Sequence, residues 1–418
     1  MRAVWPLTAA AVACGLGIVP VEAQPARSVA ALLQDQAVRA ALDAARAAEP
    51  ATIDEQVRFC EVPAPPFGEA ARADLLRRAF ADAGLRSVRV DRAGNVLGDL
   101  PGASDRPRLV VASHLDTVFP DDVDVTVKRE GSTLFGPGIG DNCRGLAVLV
   151  AVARAMRQAG VRTPGSITFV ANVGEEGLGD LRGVKALFNE TMKGQIDRFI
   201  SIDGTGLHVT HVAVGSHRYR VTFKGPGGHS YAAFGLANPV GALGRAVAKL
   251  SDLQVSSQPK TTFTVGRIGG GTSVNAIPAE AWMEVDMRSP DPAALAAFDA
   301  RFHRSVDAAV AEENQRWGRP RMITAVKELV GDRPAGSTPS RSPIVQTAQA
   351  VAAALGLVVT LGEGSTDANI PMALKIPAIT IGGGGRGWNG HATTEAFETA
   401  DSWQGTQNAI LLTIALAQ

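Results

Sequence analysis

The sequence predicts an α/β protein: a central, mostly parallel sheet flanked by helices, with a smaller α+β body of ferredoxin-like order inserted in it. Three observations carry this expectation. Short apolar runs of strand length recur at 109–112, 167–170, 199–202 and 379–381, and each precedes an acid or a histidine. From about residue 213 the pattern changes to β-α-β-β-α-β, the order of a compact α+β unit. The 418 residues also exceed the length at which one core normally keeps growing, which favours two domains.

The amino end reads Met1-Arg2, then an apolar run from about Val4 to Val21, then Val21-Glu22-Ala23 before Gln24. That is the pattern of a secretory signal, residues 1–23, and it implies an exported protein, periplasmic or secreted. Pro6, Gly15 and Gly17 interrupt the run and its length is at the short limit for a span, so no stable membrane span is expected. A lipoprotein with Cys14 lipidated is the lesser reading, since Ala11-Val12-Ala13 lacks the usual leucine. Cys60 and Cys143 are the mature cysteines, and spacing does not decide whether they pair.

Residues 27–48 are Ala-rich with Leu32, Leu33, Val38 and Leu42 near helical spacing, which predicts one amino-terminal helix. A second helix is expected from about Glu69 to Ala83, stopping at Gly84 before a strand over 85–90. The apolar stretch 146–156 has helical length and ends at Gln158-Ala159-Gly160. These elements form the first part of the larger body, 24–212. The inserted body, 213–332, carries strands over 217–223, 261–268, 280–287 and 321–328, with helices over 239–250 and 292–313. The larger body resumes over 333–418, returning Asp367 and the run Gly382 to Gly385 toward the site. The tetraglycine run reads as an anion nest, a place for backbone to approach a ligand, or a loop without a ligand.

Forty-one basic and forty-one acidic residues balance, and no basic stripe with interleaved aromatics is present. Nucleic acid is thus not an expected ligand, and the protein should handle small molecules. What it carries instead is His114-x-Asp116, Asp141, Glu175-Glu176, Asp203 and His391, a complete ligand set for two divalent metals. Imidazole and carboxylate suit zinc, whereas a structural zinc site would normally use thiolates, and neither mature cysteine belongs to a Cys-x-x-Cys pair. Open α/β sheets place their sites beyond the carboxyl ends of strands, so distant segments converge on one crevice. The set reads as a hydrolytic metal site.

Five motifs in order, Ser113-His114-Leu115-Asp116-Thr117-Val118, Gly136-Pro137-Gly138-Ile139-Gly140-Asp141, Gly174-Glu175-Glu176-Gly177, Gly227-Gly228-His229-Ser230 and Gly390-His391, carry a family resemblance. The chain resembles the zinc-dependent exopeptidases and amidohydrolases that include peptidase T, aminoacylase, carnosinase and carboxypeptidase G, over nearly its whole mature length. The resemblance implies that Asp141 bridges two metals, with its 141–142 peptide bond cis. It implies that His114 and Asp203 complete one site and Glu176 and His391 the other, and that Glu175 is the general base. Asp116 would accept the other N–H of the His114 imidazole. His229 would donate to the oxyanion, reaching across from a partner subunit, while Asn275 and Arg288 would contact substrate. The inserted body would then be lid and dimerisation surface of a homodimer.

Two departures bear on this. Many members read Asp-Asp-Lys-Gly where this chain has Asp141-Asn142-Cys143-Arg144-Gly145, in which Arg144 keeps the charge and Cys143 reads as a small apolar filler. Asp203 stands where carboxypeptidase-like members tend to carry Glu, which resembles the aminopeptidase and dipeptidase branch. The expectation is a dizinc exopeptidase cleaving small peptides, of aminopeptidase or di- and tripeptidase kind. The alternative is an N-acyl amino acid amidohydrolase or carboxypeptidase. A different class, an inactive metal-dependent peptide-binding protein, is disfavoured by retention of Glu175, which contributes no metal bond.

Overall fold

Four strands, Ser166–Asn172, Arg108–His114, Arg198–Ile202 and Ala378–Ile381, lie side by side and parallel, and they organise the molecule. Their registers align His114 with Asn172 and Ile202 with Ile381, so their carboxyl ends finish along one edge. The computed structural model describes residues 27–318 and 322–418; the expected signal, 1–23, lies outside the described residues.

On one side Val96–Leu100 and Arg86–Val90 extend the sheet antiparallel, and on the other His208–Ala213 receives Gly336–Ser337 and Thr360–Gly364. The central strands are buried on both faces, which is why they read as unbroken apolar runs rather than alternating ones. Helix Cys143–Gln158 packs on one face and is itself overlaid by Trp403–Leu416 and Gln36–Ala47. Among the described residues no helix is long and apolar enough to cross a membrane.

The inserted body is an antiparallel sheet in the order Thr262–Gly270, Glu280–Ser289, Gly215–Lys224, Thr324–Arg333. Helices Pro239–Ser251 and Pro292–Arg316 cover one face and enclose a separate core around Val221, Met283, Phe302 and Val306. Each helix opens on a capping side chain followed by proline: Asn238 accepts from the Val240 N–H, and Asp291 from the Ala294 N–H. The β-α-β-β-α-β order is the expected one, with the last strand running several residues further than anticipated.

The amino-terminal region differs from expectation. One helix over 27–48 becomes two, Val29–Gln34 and Gln36–Ala47, because the Asp35 carboxylate accepts from the Ala37 and Val38 N–H groups and starts a new helix. Helix Glu49–Cys60 and strand Val96–Leu100 escape the sequence reading, as does a small sheet. That sheet joins Lys128–Glu130 and Thr133–Phe135, just before Asp141, to Ala396–Glu398 and Arg386–Trp388, either side of His391.

Candidate metal centre

His114 is the last residue of its strand, Asp203 follows Ile202, and Glu175 and Glu176 stand three and four residues beyond Asn172. Asp141 lies in the loop before helix Cys143–Gln158, and the Asp141–Asn142 peptide bond is cis, as expected. His114 Nε2 lies 3.2 Å from Asp141 Oδ1 and 3.5 Å from Asp203 Oδ1. His391 Nε2 lies 3.2 Å from the other Asp141 oxygen, Oδ2, and 3.1 Å from Glu176 Oε1. Three groups of possible ligands result: two, His114–Asp141–Asp203 and Asp141–Glu176–His391, share Asp141, and a third joins His114 to Glu175 and Glu176.

The chemistry of this donor set fits cations. Asp141 Oδ1 is buried and takes no hydrogen bond. Burial alone depresses the His114 imidazole, yet Asp116, Asp141 and Asp203 outweigh it and hold it well above the usual histidine range. Asp141 and Glu176 push His391 up to about 10. Protons on these imidazoles thus stand in for the positive charge that crowded carboxylates demand, and a divalent metal would displace them.

Asp116 has a different role from the one expected. Its backbone carbonyl, not its carboxylate, lies 3.0 Å from His114 Nδ1; the carboxylate is 3.6 Å away, beyond hydrogen-bonding reach. The carboxylate instead accepts from two backbone N–H groups, Glu175 at 2.9 Å and Glu176 at 2.7 Å. Those two hydrogen bonds, one to each carboxylate oxygen, fix the segment that presents both glutamates.

Asn142 explains its own departure from the family pattern. Its amide nitrogen donates to Ser113 Oγ and to the Ile202 carbonyl, both at 3.0 Å, tying the Asp141 loop to the two strands that end in His114 and Asp203. A carboxylate there has no proton to donate. Arg144 is fully buried, paired with Glu49 at 2.8 Å and donating to the carbonyls of Gly383 and Ser402. Cys143 is a buried free thiol beside Cys60, in an apolar cluster with Ile139 and Phe397, as a filler would be.

Arg333, at the end of strand Thr324–Arg333, is a contributor that sequence reading missed. Its Nη1 lies 2.9 Å from Glu175 Oε1 and its Nη2 bonds the Glu175 carbonyl. Burial pushes the Glu175 carboxyl well above the ordinary range, with Arg333 opposing and Glu176 adding to it. Arg218, also from the inserted body, donates to the Gly177 carbonyl at 2.7 Å. Neither arginine carries a spacing signal in the sequence.

A cavity of about 460 Å³ opens over the set, lined by His114, Asp141, Glu175, Glu176, Arg288 and Arg333 among others. Arg288 is thus at the site, with its Nε held by Asp286 at 2.7 Å. His229 and Asn275 do not line this cavity. The ribbon of Gly228–His229 with Ala276–Ile277 brings them together instead at a separate cavity of about 820 Å³ within the inserted body. Asp367 is buried behind the site, accepting from Asn172 at 2.8 Å, and burial pushes its carboxyl up to about 7. The tetraglycine run packs closely on backbone: Gly383 and Gly384 donate to the carbonyls of Gly204 and Gly206, and a Cβ on Gly384 would fall 2.4 Å from the Ser402 carbonyl.

Residues 110–413 match Peptidase family M20/M25/M40. The uncharacterized protein YqjE of Bacillus subtilis is 24% identical over 350 residues, covering 79% of this chain and 89% of its own. A Staphylococcus aureus tripeptidase superposes with a TM-score of 0.71 at 21% identity, covering 88% of this chain and 98% of that one. YXEP of Bacillus subtilis, described as a dinuclear metal binding peptidase, has a TM-score of 0.65 at 16% identity, covering 89% and 99%.

Proposed function

The chain belongs to Peptidase family M20/M25/M40, whose members are metal-dependent amide hydrolases, and on that premise we propose that it is a dizinc exopeptidase of short peptides, aminopeptidase-like or di- and tripeptidase-like. The observation that carries this reading is the sharing of Asp141 between two ligand groups with Glu175 beside them. His114, Asp141 and Asp203 would hold one ion, and Asp141, Glu176 and His391 the other. Bound there, the pair supplies Lewis-acid polarisation of the amide carbonyl and lowers the pKa of water toward about 7.

The rest of the work falls to side chains. Glu175 takes a proton from the attacking water and returns it to the leaving amine. Arg333 holds Glu175 by Oε1, while Oε2 takes no hydrogen bond from a described residue and is free for transfer. The grip of Asp116 on the Glu175 and Glu176 N–H groups keeps base and ligand in fixed relation. A base supported in this way speaks against a protein that merely binds peptides.

His229 and Asn275 serve the site of a second copy, His229 as oxyanion donor, so that the working unit is a homodimer through the inserted body. Residues 1–23 direct export, and the mature protein acts in the periplasm or outside the cell.

Arg288 in the same cavity favours a second reading, an N-acyl amino acid amidohydrolase or carboxypeptidase, because its guanidinium suits a substrate carboxylate next to the scissile amide. Assaying the zinc-loaded mature protein against dipeptides, tripeptides and N-acetyl amino acids separates the two. Turnover of peptides with a free amino terminus, abolished by chelation, is expected. Turnover confined to N-acetyl amino acids, or tripeptides that release their carboxyl-terminal residue first, would replace the first reading with the second, and no chelator-sensitive hydrolysis at all would overturn both.

A further inference from the structure

Glu395 belongs to neither ligand group, yet it is 2% exposed and spans the two loops that carry Asp141 and His391. Its Oε1 accepts from the Gly140 N–H at 2.8 Å and the Asp141 N–H at 2.9 Å, and its Oε2 from the Gly138 N–H at 3.0 Å. Its own carbonyl accepts from Gly136 N–H at 3.0 Å. The attachment continues into the pairing of Ala396–Glu398 with Thr133–Phe135. Four hydrogen bonds thus fasten segments 255 residues apart in sequence.

No lysine, arginine or histidine forms an ion pair with Glu395 among the described residues, and the Asp141 carboxylate repels it. Burying a carboxylate against backbone dipoles alone is costly. An apolar side chain would fill the space at lower cost but could not take three N–H groups. The approach is close at Gly140, where a Cβ would lie 3.1 Å from Glu395 Oε1 and 2.9 Å from Thr205 Cγ2.

The two ligand groups differ in what secures them. His114 and Asp203 are carried by adjacent parallel strands. His391 is on an exposed loop with a left-handed backbone, φ 65°, four residues before Glu395. We propose that Glu395 is a positioning residue for the cation held by Asp141, Glu176 and His391, setting the spacing between the Asp141 loop and the His391 loop, and that it matters far less for the cation on His114, Asp141 and Asp203, where Asn142 separately ties the Asp141 loop to the strands that carry His114 and Asp203. This rests on the two-cation reading of the site.

The test isolates each cation in the full chain. In an Asp203→Ala background the His391 group remains, and in a His391→Ala background the His114 group remains. Adding Glu395→Gln should lower zinc affinity roughly 10- to 100-fold in the first background, the range for groups that orient metal ligands. In the second it should change affinity by less than about threefold. Titration of metal-free protein with zinc against a competing chelator reads both. Glu395→Asp, which keeps the charge but draws it back by one methylene, gives the same split if the amide variant does not fold. Equal loss in both backgrounds, or loss in neither, overturns the proposal and leaves Glu395 a general brace. A wild-type chain that takes up fewer than two zinc ions overturns the two-cation reading instead.

Discussion

The edge of the parallel sheet and the tip of the inserted body treat their functional residues in opposite ways. At the sheet edge, neighbouring strands deliver His114, Asp203 and the two glutamates into one cluster within a few residues of each strand end. At the tip, His229 and Asn275 are brought to each other but face a cavity without a metal ligand set. One region gathers a candidate metal centre from its own chain; the other holds two polar side chains away from it. Arg333 and Arg218 cross between the two.

Breaking that crossing should produce the largest effect. Arg333→Met leaves the buried Glu175 carboxylate without its cation, and removing one partner of a buried pair costs about 3–5 kcal/mol. Chemical denaturation should show a loss of that size. Most of it should return in the Arg333→Met/Glu175→Gln double variant, and failure to return would mean that the pair is not the source.

The tip is tested by His229→Ala, expected to reduce kcat on the order of 100- to 1000-fold if the histidine donates to an oxyanion. A His229→Ala chain and a Glu175→Gln chain, each inactive alone, should regain one complete site when mixed into verified heterodimers. Absence of recovery would return His229 to its own subunit and erase the contrast between the regions.

At the sheet edge, Glu175→Gln should retain both cations while turnover falls by at least about 100-fold. Glu176→Gln should weaken one cation and be partly rescued by excess zinc. Metal stoichiometry and turnover for both variants check the division; equal metal loss in both, or a fully active Glu175→Gln enzyme, would show that base and ligand are wrongly assigned. The smallest effect belongs to the scaffold of the inserted body. Asp291→Ala removes the cap on helix Pro292–Arg316 and should cost about 1 kcal/mol in unfolding free energy with kcat unchanged.

The parallel strands were legible because burial on both faces writes an apolar run, and the ligands because they stand just past those runs. The order of the inserted body followed from alternating periods and was read correctly. What sequence could not reveal was connection across long separations. The apolar periodicity of 27–48 concealed the local competition of the Asp35 carboxylate for backbone N–H groups. The side chains of Asp116, Asn142, Arg333 and Glu395 act on backbone or on partners up to 257 residues away, and no local period encodes that. The short strands Thr133–Phe135 and Ala396–Glu398 were missed because three residues are too few to show alternation.

The way strand Thr324–Arg333 rejoins the larger body has a consequence for anyone who would recombine this scaffold. Exchanging the insertion for that of a relative at the obvious seams, near Val214 and Arg333, would also exchange Arg218 and the partner of Glu175. A chimera cut there changes the electrostatic setting of Glu175 even when every residue of the larger body is kept. Splice points that retain Arg218 and Arg333 from the parent would transfer the surface of the insertion alone and leave the Glu175–Arg333 pair undisturbed.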